Sequence, residues 1–244
     1  MIRLRFENSA QIFNNDADVI ILPVGEITES VAKEYSGRIY AEIPAVIWEG
    51  SLSTVKEQLN QVKSYGVEDV VVENIGAIGI AKEFGFRVHA GMTLNVLNSD
   101  AVLEYAKLGA VDVTMTFELA FAKLRKVKHN IPIGIIGYGY MPLMKLRACP
   151  ARDEKGCGSC PGHQILKDRM NEEFMLICHN KQYSELLNCV PIYVADKGIP
   201  DVDFETLFFT VESKDEAEKI YNQYKAKETP EFRRTAGLYF RELQ

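Results

Sequence analysis

The sequence contains no run approaching the roughly 18 to 20 continuous apolar residues of a membrane-spanning helix, so no span is expected. It has no GxGxxG and no P-loop at a strand-to-helix junction, and so nothing supports a dinucleotide or NTP site. GxSxG and HExxH are also missing, which removes the serine-hydrolase elbow and the zincin helix. There is no internal repeat and no low-complexity linker. The opening residues Met1 to Arg5 lack an apolar core followed by a small-residue cleavage site. They read as an edge of folded structure, and a cytoplasmic location is expected. Positive charge is not in excess: the net charge is -6 and the pI about 5.4. Such a chain does not look like a general nucleic-acid coat, although a local basic patch stays open. Cysteine is absent before position 149, and the five cysteines fall between 149 and 189. An odd, clustered set argues against a disulfide scaffold and toward metal.

What is present is a rhythm. The chain has 244 residues, 47% of them hydrophobic, enough for a substantial core. Apolar runs predict strands at 2–6, 19–24 (VIILPV), 38–43, 67–72, 87–90, 112–116, 133–136 and 207–211. Between them, helical spacing predicts helices at 27–35, 52–64, 76–84, 100–107 and 120–126, with a last one at 214–227. Alternating strand and helix implies a parallel sheet. Eight strands suggest a closed (β/α)8 TIM-like barrel of the α/β class; an open doubly wound sheet is the alternative. Residues 1–244 are expected to form one barrel domain, with a cysteine-rich metal-binding insertion over 138–200, between strands seven and eight.

Cys149, Cys157, Cys160 and Cys178 have the spacing C-x7-C-x2-C-x17-C. Two cysteines two residues apart can chelate one ion, because a tight turn points both sulfurs to one side; Gly156 and Gly158 permit that turn. Four thiolates suit structural zinc and an iron-sulfur cluster equally well. The alternative is four buried free thiols. Cys189 reads as a small core residue, and His163 and His179 as residues beside the ligands or on the surface. Cys178 and His179 are adjacent, but on an extended segment they point in opposite directions, which discounts a cysteine nucleophile.

Several stretches together resemble the collagenase-like peptidase family, catalogued as unknown-type peptidase family 32. They are Ala90–Ser99 (AGMTLNVLNS), Thr116–Leu119 (TFEL), Gly137–Met144 (GYGYMPLM) leading to Cys149-Pro150, Asp168-Arg169, Leu187-Asn188 and Arg234–Tyr239 (RTAGLY). The resemblance covers about residues 65 to 241 well and is closest to the later barrel of the long members. It implies a barrel core and either of two activities. Some members are described as peptidases or collagenases. Others hydroxylate RNA bases or a quinone precursor without oxygen and carry a 4Fe-4S cluster on four cysteines. The resemblance therefore favours a 4Fe-4S cluster over Zn2+ here, and an RNA-modifying hydroxylase with RNA or a small molecule as substrate. A peptidase is the runner-up, and a non-catalytic accessory domain with structural zinc the third reading. The chain is expected to work with a partner subunit or with a missing N-terminal barrel. One departure stands out: Pro142 occupies the position seven before Cys149 where the family has a cysteine, which puts the cluster's geometry in doubt.

Other candidates follow from strand ends, which share one face in a barrel. Glu118, Asn95 and Tyr138 are the catalytic candidates; Glu73, Asn74 and His89, with Arg147 and Arg169, are the substrate-binding ones. Each has a structural alternative. Glu118 can cap the next helix, Asn95 and Asn98 can satisfy loop backbone, and His89 can be a hydrogen-bonded barrel-interior residue. Asp168 and Arg169 can form a buried ion pair, and Lys145, Arg147, Lys167 and Arg169 a solvated basic surface.

Overall fold

A computed structural model of the chain describes residues 1–152, 156–158 and 160–241. The remaining positions of the expected 1–244 unit and its 138–200 insertion lie outside the described residues. The order begins β1 (Ile2–Arg5), β2 (Val19–Pro23), α1 (Glu29–Glu34), β3 (Ile39–Ile43) and α2 (Leu52–Ser64). Next come β4 (Asp69–Val72), α3 (Ile75–Glu83), β5 (Arg87–Ala90), α4 (Ser99–Leu108), β6 (Ala110–Thr114) and α5 (Phe121–Leu124). β7 (Ile133–Gly139) is followed by β8 (Pro142–Leu146), β9 (His163–Lys167), β10 (Glu173–His179), β11 (Tyr183–Leu187) and β12 (Ile192–Tyr193). The last elements are β13 (Phe204–Phe208) and α6 (Lys214–Lys225).

β1 to β7 and β13 close into an eight-stranded parallel barrel, in the order β7-β13-β1-β2-β3-β4-β5-β6 and back to β7. The (β/α)8 expectation holds and the open sheet does not. Local sequence sets the helix starts. Thr28, Asn74, Asn98 and Ser213 each accept a backbone N–H of the first turn at α1, α3, α4 and α6. α2 buries Val55, Leu59 and Val62 against the strands. Two departures occur: β1 is followed only by a 3-10 turn, and the inserted segment replaces the helix after β7.

The strands are amphipathic in an inverted sense. Leu4, Ile20, Leu22, Ala41, Val70 and Val72 belong to the buried cluster outside the barrel, beneath the helices. Alternating with them, Arg3, Arg5, Asp69, His89 and Asp112 are buried and polar and point inward. β13 lies three residues before the expected strand. Its register on β1 pairs Glu205 with Ile2, so that Phe204 and Thr206 face the lumen. Gly134 makes room for the Phe204 ring, 2.1 Å from where a Cβ would stand. β6 and β7 pair only at Val113–Ile133 and Thr114–Gly134. Beyond that, the Tyr239 hydroxyl closes the gap: it accepts from Ile136 N (3.2 Å) and donates to Ile136 O (2.9 Å).

The insertion is an antiparallel sheet, β8-β11-β10-β9. Trp48, after β3, pins it to the barrel: its indole N–H donates to Gln182 O (3.0 Å), and the Arg147 guanidinium lies 4.7 Å from its ring centroid. No helix among the described residues is long and apolar enough to cross a membrane.

Candidate active site at the barrel mouth

The inserted sheet roofs a cleft of about 640 Å³ over the C-terminal ends of the strands. That is the face where barrel loops build sites, and the size suits a small ligand. The floor carries Glu42, Glu73, Met92, Thr93 and Phe208. In an antiparallel sheet, opposite residues share a face. Lys145 lies opposite Glu185, and Tyr183 opposite His179, and all four line the cleft.

Glu73, just past β4, is buried. Its Oε2 accepts from Thr93 N (2.9 Å) and from the Thr93 hydroxyl (2.6 Å). Gly91 lies against it: a Cβ there would stand 2.1 Å from Glu73 Oε1, so the chain leaves space for this carboxyl. Burial first, and then the neighbouring charge of Glu42, push Glu73 up to about 7, against the opposing pull of the Thr93 bonds. Below it the lumen narrows to a void of about 20 Å³.

An ion-pair chain runs up from the floor to the roof. Arg5 donates from Nε (2.6 Å) and Nη2 (3.0 Å) to the two oxygens of Glu42, and from Nη1 to Glu7 (2.5 Å). His179 follows, with Nδ1 3.4 Å from Glu7 and Nε2 3.3 Å from Glu185, its ring stacked on Tyr183. Glu185 completes the chain with an ion pair to Lys145. Burial raises the Glu185 carboxyl, but His179 and Lys145 outweigh it and hold it down at about 2.

The other end of the lumen is also charged, and closed. His89 sits between Asp112 (Nδ1, 2.7 Å) and Asp69 (Nε2, 2.9 Å), stacked under Tyr40. Arg3 pairs with Asp112 through Nη2 (2.5 Å), and Arg87 with Asp69 (2.6 Å). Burial lowers the His89 imidazole, but the two carboxylates outweigh it and raise it. The same bonds overcome burial at Asp69 and Asp112 and lower both.

Of the residues singled out from sequence, Glu73 alone of the carboxylates lines the cleft. Glu118 is exposed in the turn after β6. Asn95 is exposed at a left-handed position (φ 52°) that ends a 3-10 turn. Tyr138 sits inside β7, opposite Leu207 across a register shift in the β7–β13 pairing. It belongs to the cluster under the helices and donates its hydroxyl to Glu212 (2.5 Å). Asn74 caps α3 and donates to Ala45 O (3.0 Å). Both ring nitrogens of His89 are spent on Asp112 and Asp69 at the other end of the lumen. Arg147 stacks on Trp48 at the edge of the roof. Arg169 is exposed at the β9–β10 turn, and Asp168 accepts from the N–H groups of Met170 and Glu172. The expected buried pair of these two is thus an exposed turn, and the basic residues form no shared pocket.

The cysteines lie at one end of the inserted sheet. Cys149, Cys157 and Cys160 are in the segment joining edge strands β8 and β9, and Cys178 is next to last in β10, where its N–H donates to Gly162 O (2.8 Å). The structure does not bring them into one ligand set. Cys157 and Cys160 are exposed, Cys149 and Cys178 half-buried. Among the described residues, no three His, Cys, Asp or Glu side chains are placed to hold one ion. Four thiols suit a cluster by donor type. Cys189 is half-buried.

Sequence reasoning missed Arg5, Glu7, Glu42, His179 and Glu185 as parts of this site. A signal was available: charged residues alternate with apolar ones in Arg3–Phe6 and interrupt apolar runs at Glu42 and Glu185. Their meeting needed the barrel register.

Comparison with known proteins adds the following. The family described as Peptidase family U32 matches residues 22–153, more than half of the chain. An uncharacterized protease of Methanocaldococcus jannaschii is 31% identical over 108 residues, 43% of this chain and 26% of that protein. The chain thus spans about a quarter of that relative's length. A solved structure of a U32 peptidase superposes with a TM-score of 0.44 at 14% identity, covering 57% of this chain and 69% of that one.

Proposed function

The chain belongs to Peptidase family U32, and on that premise we propose that it is an enzyme unit hydrolysing peptide bonds in the cleft between barrel and roof, with Glu73 as its acid–base group. The observation that supports this reading is a buried carboxyl at the barrel mouth that titrates at about 7. Such a group is present in both forms at neutral pH. Ionised, Glu73 takes a proton from water as the water oxygen bonds to the peptide carbonyl carbon. Protonated, it returns that proton to the amide nitrogen as the C–N bond breaks. Water and peptide are consumed, an acid and an amine are released, and Glu73 ends as it began. Thr93 and Gly91 hold the carboxyl in place, and the roof keeps bulk water from the floor.

The charge of the cleft weighs against an RNA substrate. Among its charged lining residues, Glu7, Glu26, Glu42, Glu73 and Glu185 outnumber Arg5 and Lys145, and Arg147 and Arg169 lie outside it. The 4Fe-4S and zinc readings gain no support from the placement of the thiols among the described residues. Elemental analysis of protein purified without oxygen reads that question directly. Iron or zinc bound in a fixed ratio to the chain would support the four-cysteine reading, and a metal-free protein would remove it.

The test of the hydrolytic reading is Glu73→Gln. Cleavage of a peptide library, followed by mass spectrometry, should fall by about 100-fold or more, the usual worth of a positioned acid–base group. The circular dichroism spectrum should not change. Cleavage that survives the substitution unchanged overturns the assignment.

A further inference from the structure

We infer that the cleft takes the positively charged end of its substrate: an ammonium or guanidinium group, seated at Glu26. The inference rests on the cleft being the place where substrate binds, and it names the class of group bound there.

Two permanent cations line the cleft, Arg5 and Lys145. Arg5 is spent: Nε and Nη2 donate to Glu42, and Nη1 donates to Glu7 and, at 3.4 Å, to Phe209 O. Lys145 is spent on Glu185. An anionic group entering the cleft therefore meets no permanent cation without a partner of its own. The carboxylates are different. Glu26 lines the cleft half-buried, and among the described residues it makes no ion pair. Among the described residues its side chain accepts one hydrogen bond, from the Ser9 N–H at 3.4 Å. Glu73 adds a second carboxyl on the floor of the same cavity.

The walls fit the stem of such a group. The lining of the same cleft includes Pro23, Val24, Pro44 and Val46, apolar surface that suits a methylene chain. Long cationic side chains pack their stems on apolar surface and carry the charge at the tip. A cation at Glu26 would gain a charge-assisted bond in a partly desolvated place, worth more than its counterpart in water.

The experiment separates binding from cleavage. Calorimetry on the Glu73→Gln protein measures affinity for three peptides differing at one position, which holds lysine, norleucine or glutamate. The lysine peptide should bind about tenfold more tightly than the norleucine peptide, the size of one partly buried charged hydrogen bond. The glutamate peptide should bind worst. Glu26→Gln should narrow the gap between lysine and norleucine, and Glu26→Lys should reverse the order of lysine and glutamate. Equal affinities for all three, or an order unmoved by either Glu26 substitution, overturns the inference. The hydrolytic reading is judged separately, by whether the unsubstituted protein cleaves any peptide in a Glu73-dependent way. If it cleaves without regard to charge, that reading stands and this inference falls. If it cleaves nothing yet shows the affinity order, this inference stands alone.

Discussion

The two ends of the barrel lumen are both lined with charge and do opposite things with it. At the closed end, the floor of the lumen rather than of the cleft, Asp69 and Asp112 are matched by His89, Arg3 and Arg87, and among the described residues there only Arg3 Nε is buried without a partner. At the mouth, the carboxylates outnumber the cations, and Glu73 has hydrogen bonds from Thr93 but no ion pair. The consequence appears in the titration directions. Pairing lowers the floor aspartates, whereas burial with a like-charged neighbour raises Glu73. Balanced charge holds strands together; unbalanced charge in a cleft is available to a ligand or a proton.

That contrast can be broken from the floor first. Asp112→Ala leaves His89 and Arg3 without their shared carboxylate in a buried site. It should cost about 3 to 5 kcal/mol in urea unfolding, as removal of one partner from a buried pair does. Peptide cleavage by the fraction that remains folded should be unchanged. A cost under 1 kcal/mol would mean that the floor network is not what locks β1, β5 and β6 together.

At the mouth, Gly91→Ala should act on chemistry more than on stability. The new methyl displaces the Glu73 carboxyl, and a misplacement of about 1 Å in a reacting group can cost on the order of 100-fold in rate. Turnover of wild type and variant at saturating substrate checks this. The smallest effect is expected from Thr93→Val. Its hydroxyl donates to Glu73 and favours the ionised form. Its loss should move the Glu73-controlled limb of the pH–rate profile to higher pH. A shift to lower pH would contradict the assigned donor.

Much of this architecture is legible in the sequence. The parallel strands are buried on both faces and read as apolar runs, as in VIILP and DVVV. The antiparallel roof is not legible. β8 and β9 are half-exposed edge strands beside a segment rich in glycine, proline and cysteine, which reads as loop. The site was legible only in part, through Glu73 at a strand end. Tyr138 sits near another strand end, yet the register shift beside Leu207 accompanies its place under the helices, a feature of pairing rather than of pattern. The Arg5–Glu42–Glu7–His179–Glu185 chain joins residues up to 180 positions apart, and no local pattern announces it.

The pH dependence of stability in wild type and Glu73→Gln tests the central claim most directly. A glutamate held at about 7 in the folded chain, against 4.5 as the ordinary value, favours the folded state fully below 4.5. That contribution fades as pH rises through 7. Between pH 4 and pH 8 the wild type should lose on the order of 3 kcal/mol relative to the glutamine variant, the linkage value of such a shift. Parallel curves for the two proteins across that range would show that Glu73 titrates as an ordinary glutamate, and the barrel mouth would lose its acid–base group.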